Sequence, residues 1–286
     1  MVSIIVINHN QKELITSCVN SIKERITYPY EIIIVNNSGE DLSHLKEQAV
    51  ILPSANLGFS HANNLGVKHS KGEYLLFLNA DTVIRNDFME RLITDVKDMD
   101  FGALGLKMYN EDGTFQLSFW EENTFKNERH NKKAEKKFKE RDTEYISDVE
   151  KMHSSLTGVD WVSGAAMVIK RDRFNAVTGF DEDFFLFYED ADICKRLNEA
   201  GNKIYFYPHS DIIHYKGENV NPEFSSNTYF YSKQSQLLYY RKHNSLTDRF
   251  LLRTYLILRF GFKYLISFKK INLNILLLSI GLKENP

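Results

Sequence analysis

Short apolar runs, each closing on asparagine, aspartate or glycine, recur through the first part of the chain. Residues 3–7 run apolar into Asn8-His9-Asn10, and residues 31–35 into Asn36-Asn37-Ser38-Gly39. Residues 50–52 lead into Pro53 and on to Gly58, and residues 74–78 end in Asn79-Ala80-Asp81. Runs without alternation read as strands buried on both faces. Between the first two, Leu14, Ile15, Cys18, Val19 and Ile22 fall at helical spacing, and Asn10 with Glu13 resembles a capping box. Further helices are predicted over 41–48 and 60–69, with Lys71-Gly72 as the turn into the Asp81 strand. Strands alternating with helices predict an α/β fold with a doubly wound, mostly parallel sheet.

Beyond Asp81 the pattern predicts a helix over 87–99 and a strand pair within 101–119, turned at Glu111-Asp112-Gly113. Charged residues then crowd an insertion at about 120–157. It reads as a solvated helix or mobile excursion, with a lid or acceptor-gripping role as the alternative. Residues 160–171 read as a strand whose Ser163, Gly164, Ala165 and Ala166 permit close backbone approach. Phe174 and Val177 suggest a short helix stopped at Gly179. The aromatic run 184–188 ends in Glu189-Asp190-Ala191-Asp192 and opens a helix over 193–200. Strands follow at 203–207 and 211–214, the second ending in His214.

The polar tips carry the chemistry. Ligands of an open α/β sheet bind outside the carboxyl ends of its strands. A buried strand that delivers Asp81 to such an end suits a divalent metal that in turn holds a diphosphate. Asn8, Asn10, Asn36 and Asn37 offer donors and acceptors of the kind a nucleobase edge and ribose need. Gly58 and the helix start after it could turn N–H groups towards phosphate. Each of these residues also has an ordinary reading as a turn or cap. Carboxylates at a helix start suit the macrodipole, which accounts for one or two of Glu189, Asp190 and Asp192 more readily than for all three. Taken alone, His214 on an apolar strand reads as a core residue. Neither a GxGxxG nor a Walker pattern is present, which weakens dinucleotide and P-loop readings.

Composition changes this picture only at the C-terminus. The 286 residues, 43% hydrophobic and 13% aromatic, support a full core, and a formal net charge of -2 gives no bulk drive towards nucleic acid. From Arg241 to Pro286, however, there are nine Lys/Arg and two Asp/Glu, interleaved with Phe250, Leu258, Phe262 and Phe268. Amphipathic helices on an anionic membrane surface fit this mixture, as does a homodimer interface. No base-reading motif supports nucleic acid. Cys18 and Cys194 lie in helical patterns and read as buried small hydrophobes in a reducing compartment. The first residues have no basic leader or cleavage site, and the apolar run 271–282 is too short to span a bilayer. The expectation is a cytoplasmic protein, with peripheral contact at the inner face of the membrane through residues 241–286.

In series, the motifs resemble the family 2 glycosyltransferases with the GT-A fold, especially the rhamnosyltransferase-like branch. The matching stretches are 2–10, 31–39, 56–59 with 63–66, 76–82, 161–171, 179–192 and His214. They assign about 1–216 to a catalytic domain with a Rossmann-like sheet, and leave 217–286 as a helical, basic-aromatic extension. The resemblance implies an inverting transfer from a UDP- or dTDP-sugar, rhamnose-type donors included. The acceptor would be a glycan or lipid-linked molecule in surface polysaccharide biosynthesis. It implies donor contacts at Asn8, His9, Asn10, Asn36, Asn56, Gly58, Asn63, Asn79 and Asp81. Asn79-Ala80-Asp81 stands for the D-x-D motif, and Asp81 with His214 would ligate Mn²⁺ or Mg²⁺. Glu189-Asp190 matches the family's ED motif, with Asp190 as general base and Glu189 holding an acceptor hydroxyl or positioning Asp190. Trp161 and Tyr188 are candidates for stacking on sugar faces or for core packing. The chain departs from the family at Asn8-His9-Asn10, where Thr-Tyr-Asn is usual, and at Asn36, where Asp is usual. Two other readings are a catalytically silent GT-A scaffold that binds nucleotide sugars, and a nucleotidyltransferase. The latter would carry a Gly-rich, basic loop where this chain has Asn8-His9-Asn10-Gln11.

Overall fold

The structure, a computed structural model, describes residues 1–215 and 222–284, with 222–226 described by backbone alone. The expected domain boundary at 216/217 lies outside the described residues. The first half of the sheet is built from β1 (Val2–Asn8), α1 (Lys12–Arg25), β2 (Tyr30–Asn36), β3 (Val50–Pro53), α2 (Phe59–Lys68) and β4 (Tyr74–Asn79). The order β3-β2-β1-β4 is parallel throughout. Its register sets Asn8 beside Asn36 and Ile7 beside Asn79, so the polar tips share one rim.

The chain continues through β5 (Thr82–Ile84), α3 (Met89–Val96), β6 (Ala103–Tyr109), β7 (Phe115–Gln116), β8 (Phe119–Trp120), α4 (Phe125–Lys139) and α5 (Thr143–Met152). Then come β9 (Thr157–Val159), β10 (Trp161–Val162), β11 (Ala166–Lys170), α6 (Arg171–Ala176), α7 (Glu189–Glu199) and β12 (Ile204–His214). The helices α8 (Pro222–His243), α9 (Leu246–Ser267) and α10 (Lys270–Ser279) complete the chain. The sheet extends as β4-β11-β6-β12-β5. β11 is antiparallel to both neighbours, β12 is parallel to β6, and β5 is antiparallel to β12. The result is a mostly parallel central sheet with helices on both faces. Along β1, Val2, Ile4 and Val6 join the apolar cluster under α1 and α3, while Ile5 joins the one under α2, α6 and α7. Burial on both faces is the physical reason the early runs do not alternate.

Several expectations need correction. Residues 41–48 form only a short 3-10 turn over Ser43–Leu45, because Leu42 and Leu45 alone are buried there and Asp41 accepts from Ser43 N. The stretch 160–171 is broken at Ser163-Gly164 into β10 and β11, which belong to different sheets. The insertion forms α4 and α5, each with an N-cap side chain, Thr124 and Asp142, and Ile146 and Val149 pack into the core. Of the two expectations for this stretch, a solvated helix or a mobile excursion, the helical one describes α4, while α5 is more deeply packed than expected. α7 starts at Glu189, earlier than the apolar spacing predicted, so the acidic residues form its first turn.

The C-terminal helices are bound to the rest of the molecule. Phe184 and Ala191 share a buried cluster with Phe230, Tyr239, Leu252, Leu256 and Phe260. Asp192, fully buried, pairs with Arg196 at 2.6 Å and with His243 of α8 at 2.7 Å. Cys18 and Cys194 are buried free thiols, and burial pushes Cys18 up to about 12. Among the described residues no helix is long and apolar enough to cross a membrane.

Candidate active site

Asp81 stands in the tight turn between β4 and β5, nearly buried. β5 runs back antiparallel to the end of β12 and sets Thr82 opposite His214, while Tyr215 N donates to Asp81 O at 3.0 Å. This pairing brings His214 Nε2 to 3.3 Å from Asp81 Oδ1. Gln116 orients the ring. Its amide nitrogen donates to Asn110 Oδ1 and His214 O, so its Oε1 is left to accept from His214 Nδ1–H at 2.8 Å. In the neutral imidazole that tautomer turns the Nε2 lone pair towards the Asp81 carboxylate. Two acceptors facing each other across 3.3 Å, one oxygen and one imidazole nitrogen, fit a shared divalent cation. Asn79 Nδ2 lies 3.4 Å from the same Nε2.

Across the hollow, α7 presents Glu189 and Asp190. The residues before it, Phe187 and Tyr188, have φ of 69° and 66°, a left-handed pair without glycine that turns the chain sharply into the helix. Asp190 Oδ2 accepts from Gly164 N at 3.1 Å and Oδ1 from Ala191 N at 2.8 Å. Burial pushes the Asp190 carboxyl above the ordinary carboxylate range, and those N–H groups pull it back. Glu189 is pushed well above that range, first by burial and then by the charge of Asp190. Its Oε2 is buried and without a hydrogen-bond partner. Burial thus raises both acids although a helix start favours their ionised forms.

Asp81, Asp190, Glu189, His214, Asn79 and His9 all line one cavity of about 500 Å³. Other expected donor contacts are placed differently. Asn8 Nδ2 donates to Asn36 Oδ1 at 3.0 Å and to Glu40 Oε2 at 2.9 Å, and Asn36 Nδ2 donates to Glu40 O at 2.8 Å. Both amides thus serve the β1–β2 rim. Asn8 Oδ1, Asn37 Oδ1 and His9 Nδ1 are buried there without partners. Asn10, at φ 56°, and Asn56 are exposed. Asn63 is buried and bonds Phe59 O within α2. Gly58 has φ of 104°, and a Cβ on it would lie 2.6 Å from Phe185 O. Phe59 N donates to that same oxygen at 2.8 Å, so this helix start holds the 185–188 loop. Trp161 stacks on Trp120 with centroids 4.2 Å apart, and Tyr188 packs against Tyr239 at 5.6 Å.

Sequence reasoning did not single out Gln116 or Phe185. Gln116 sits just past a hairpin turn, and only the pairing of β7 with β6 puts it beside β12.

The profile of glycosyl transferase family 2 matches residues 3–153, more than half of the chain. The chain belongs to glycosyl transferase family 2. A second profile, the N-terminal domain of galactosyltransferase, matches residues 147–218 and so takes in Asp190 and His214. Among curated relatives of this glycosyltransferase, rhamnosyltransferase WbbL of Escherichia coli K12 is 24% identical over 87% of this chain and 96% of its own. N-acetylglucosaminyl-diphospho-decaprenol L-rhamnosyltransferase of Mycobacterium tuberculosis is 28% identical, over 33% of this chain and 31% of its own. GT-A neighbours among solved structures include GalNAc-T7, crystallised with UDP, GalNAc and Mn²⁺, at TM-score 0.59 and 15% identity over 82% of this chain. TarS of S. aureus aligns at TM-score 0.58 and 15% identity over 98% of this chain. The chain spans about half the length of those two, 47% and 48%.

Proposed function

We propose that this glycosyltransferase transfers a sugar, with inversion, from a UDP- or dTDP-sugar to a hydroxyl of a glycan or lipid-linked acceptor in surface polysaccharide synthesis. The observation that carries the reading is the single cavity shared by Asp81, His214 and Asp190. The WbbL likeness along nearly the whole of both chains favours a rhamnose-type donor.

Asp190 takes the proton of the acceptor hydroxyl as its oxygen attacks the anomeric carbon. The new C–O bond forms on one face while the bond to the diphosphate breaks on the other, and nucleoside diphosphate leaves. A positioned base of this kind supplies about 10²- to 10⁴-fold. The N–H groups of Gly164 and Ala191 hold the carboxylate in place. Glu189, buried beside Asp190 with one carboxyl oxygen unpartnered, holds an acceptor hydroxyl or braces Asp190. Asp81 and His214 would hold Mn²⁺ or Mg²⁺, which when bound offsets the charge of the diphosphate as a Lewis acid. The orphaned Asn8, His9 and Asn37 atoms at the β1–β2 rim suit the nucleoside. With Asn36 engaged by Asn8 and Glu40, these atoms and not Asn36 read the base.

A peripheral membrane location completes the reading. Leu258, Phe262, Leu265 and Ile266 are exposed on α9, away from its buried Leu252, Leu256 and Phe260. Such a face suits an anionic bilayer that also holds a lipid-linked acceptor, and a homodimer is the competing use of the same surface. The deciding experiment is a screen of nucleotide sugars for Mn²⁺-dependent thermal stabilisation, followed by product analysis with the donor that stabilises most. No stabilisation by any UDP- or dTDP-sugar would overturn the assignment.

A further inference from the structure

A second cavity, of about 330 Å³, lies between α4, β8, β10 and α8 and shares Ser163, Phe187 and Asp190 with the first. Much of its wall comes from the charged insertion, for which the sequence offered an acceptor-gripping role as one alternative. Three of its features point to a ligand. Asn123, 5% exposed, has a buried Nδ2 without a hydrogen-bond partner. The stacked rings of Trp120 and Trp161 line it, 14° from parallel. Lys233, pushed down to about 8 mainly by burial, also lines it. The main chain of Asn123 is anchored, because its backbone carbonyl accepts from Asn244 Nδ2 at 2.8 Å at the α8–α9 junction. Two other polar side chains of the wall are already engaged: Asn131 bonds Glu121 through both amide atoms, and Glu128 takes Gln236 and Lys132.

We propose that this cavity is the acceptor subsite and takes one pyranose ring. The ring lies with its apolar C–H face on the tryptophan pair, its oxygens facing Asn123 Nδ2 and Lys233, and one hydroxyl turned towards Asp190. The chemistry fits a neutral sugar better than a phosphate group. An unpartnered amide and an aromatic wall match the alternating polar edge and apolar face of a pyranose, and the wall carries Glu128, Glu135 and Asp190 as well as its lysines. The proposal rests on the transferase reading and deepens it by naming what the insertion holds.

Trp120 and Trp161 are the only two tryptophans of the chain and both line this cavity, so intrinsic tryptophan fluorescence reports on a ligand bound there. The test titrates the full chain with octyl β-glycosides of N-acetylglucosamine, glucose, galactose and mannose, with pyrophosphate as a control. At least one glycoside is expected to change the emission saturably. Asn123→Ala is expected to weaken that glycoside about fivefold, the effect of one lost hydrogen bond, while UDP or dTDP still raises Tm as in the native chain. Trp161→Phe, which keeps an aromatic ring, should weaken binding less than Trp161→Ala. No response to any glycoside, or a response to pyrophosphate alone, would overturn the subsite. Because nucleotide binding is read separately by Tm, losing the subsite leaves the donor site standing, and losing both removes the transferase reading.

Discussion

Asp81 Oδ1 and His214 Nε2 face each other across 3.3 Å although 133 residues separate them in sequence. The contact depends on β5, only three residues long, which folds back from the Asp81 turn to pair with the last residues of β12. It also depends on Gln116, which fixes the tautomer of the ring. Gln116→Leu should therefore leave the fold intact yet weaken Mn²⁺-dependent nucleotide binding about 10- to 100-fold, the usual cost of losing a residue that orients a metal-binding histidine. Mn²⁺ titration of UDP or dTDP affinity by calorimetry checks this, and an unchanged Mn²⁺ dependence would refute it.

Asp190→Asn keeps the shape of the residue and removes its basicity. Turnover should fall about 10²- to 10⁴-fold, with nucleotide affinity within about twofold of the native chain, since removing an interaction made only in the transition state leaves ground-state binding alone. Single-turnover rates beside equilibrium binding separate the two. Equal turnover in variant and native chain would take Asp190 out of the reaction.

Glu189 gives a pH signature. Burial raises its folded-state carboxyl well above the ordinary carboxylate range, so the native state binds its proton more tightly than the unfolded state. The stability linked to that proton is fully present below the unfolded value and is lost as pH rises through the folded one. Glu189→Gln, neutral at every pH, should match the native chain in acid and become progressively the more stable of the two as pH rises from the unfolded value through the folded one. Urea midpoints measured across that range check the sign, and a constant difference would show that Glu189 does not titrate in this way.

Gly58 is held at φ 104° with no room for a Cβ beside Phe185 O. Gly58→Ala should cost about 1–3 kcal/mol from backbone strain alone, read as a fall in Tm. The loop it supports leads into Phe187, Tyr188 and Asp190, so kcat should fall as well. A variant with native Tm and kcat would show that the loop is held by other contacts.

For the exposed face of α9, Leu258→Glu combined with Phe262→Glu places charge on side chains already in solvent, so the fold should persist. Co-sedimentation with phosphatidylglycerol vesicles should be lost in the variant, and in the native chain it should weaken with salt. If the variant instead shifts a dimer to a monomer in gel filtration while vesicle binding is unchanged, the face is a subunit contact.

Much of the parallel half of the sheet was legible in the sequence, because burial on both faces gives runs such as 74–78 that nothing interrupts. Asp81, Glu189 and Asp190 stood out for a related reason: a charge at the end of such a run has few structural excuses. The rest depended on long-range pairing. β5, β8 and β9 are too short to show a period. The break at Ser163-Gly164 exists because β10 pairs with β8 instead of continuing β11. Asn8 and Asn36 looked like free rim amides because each is polar at a strand end, and only the β1–β2 register makes them partners of each other. Gly58 looked like a phosphate cradle because its neighbour across space, Phe185, lies more than a hundred residues away.

The Asp192–His243 contact bears on how the chain can be divided. Ending it after β12 would strip α8 from a carboxylate with no exposure to solvent, and would uncover Phe184 before the acidic turn and Ala191 within it. Water would then reach the back of the helix that carries Asp190. The last helices are in this sense a rear wall of the reaction chamber, and a truncated protein should fail as a catalyst even though every residue of the sheet is still present.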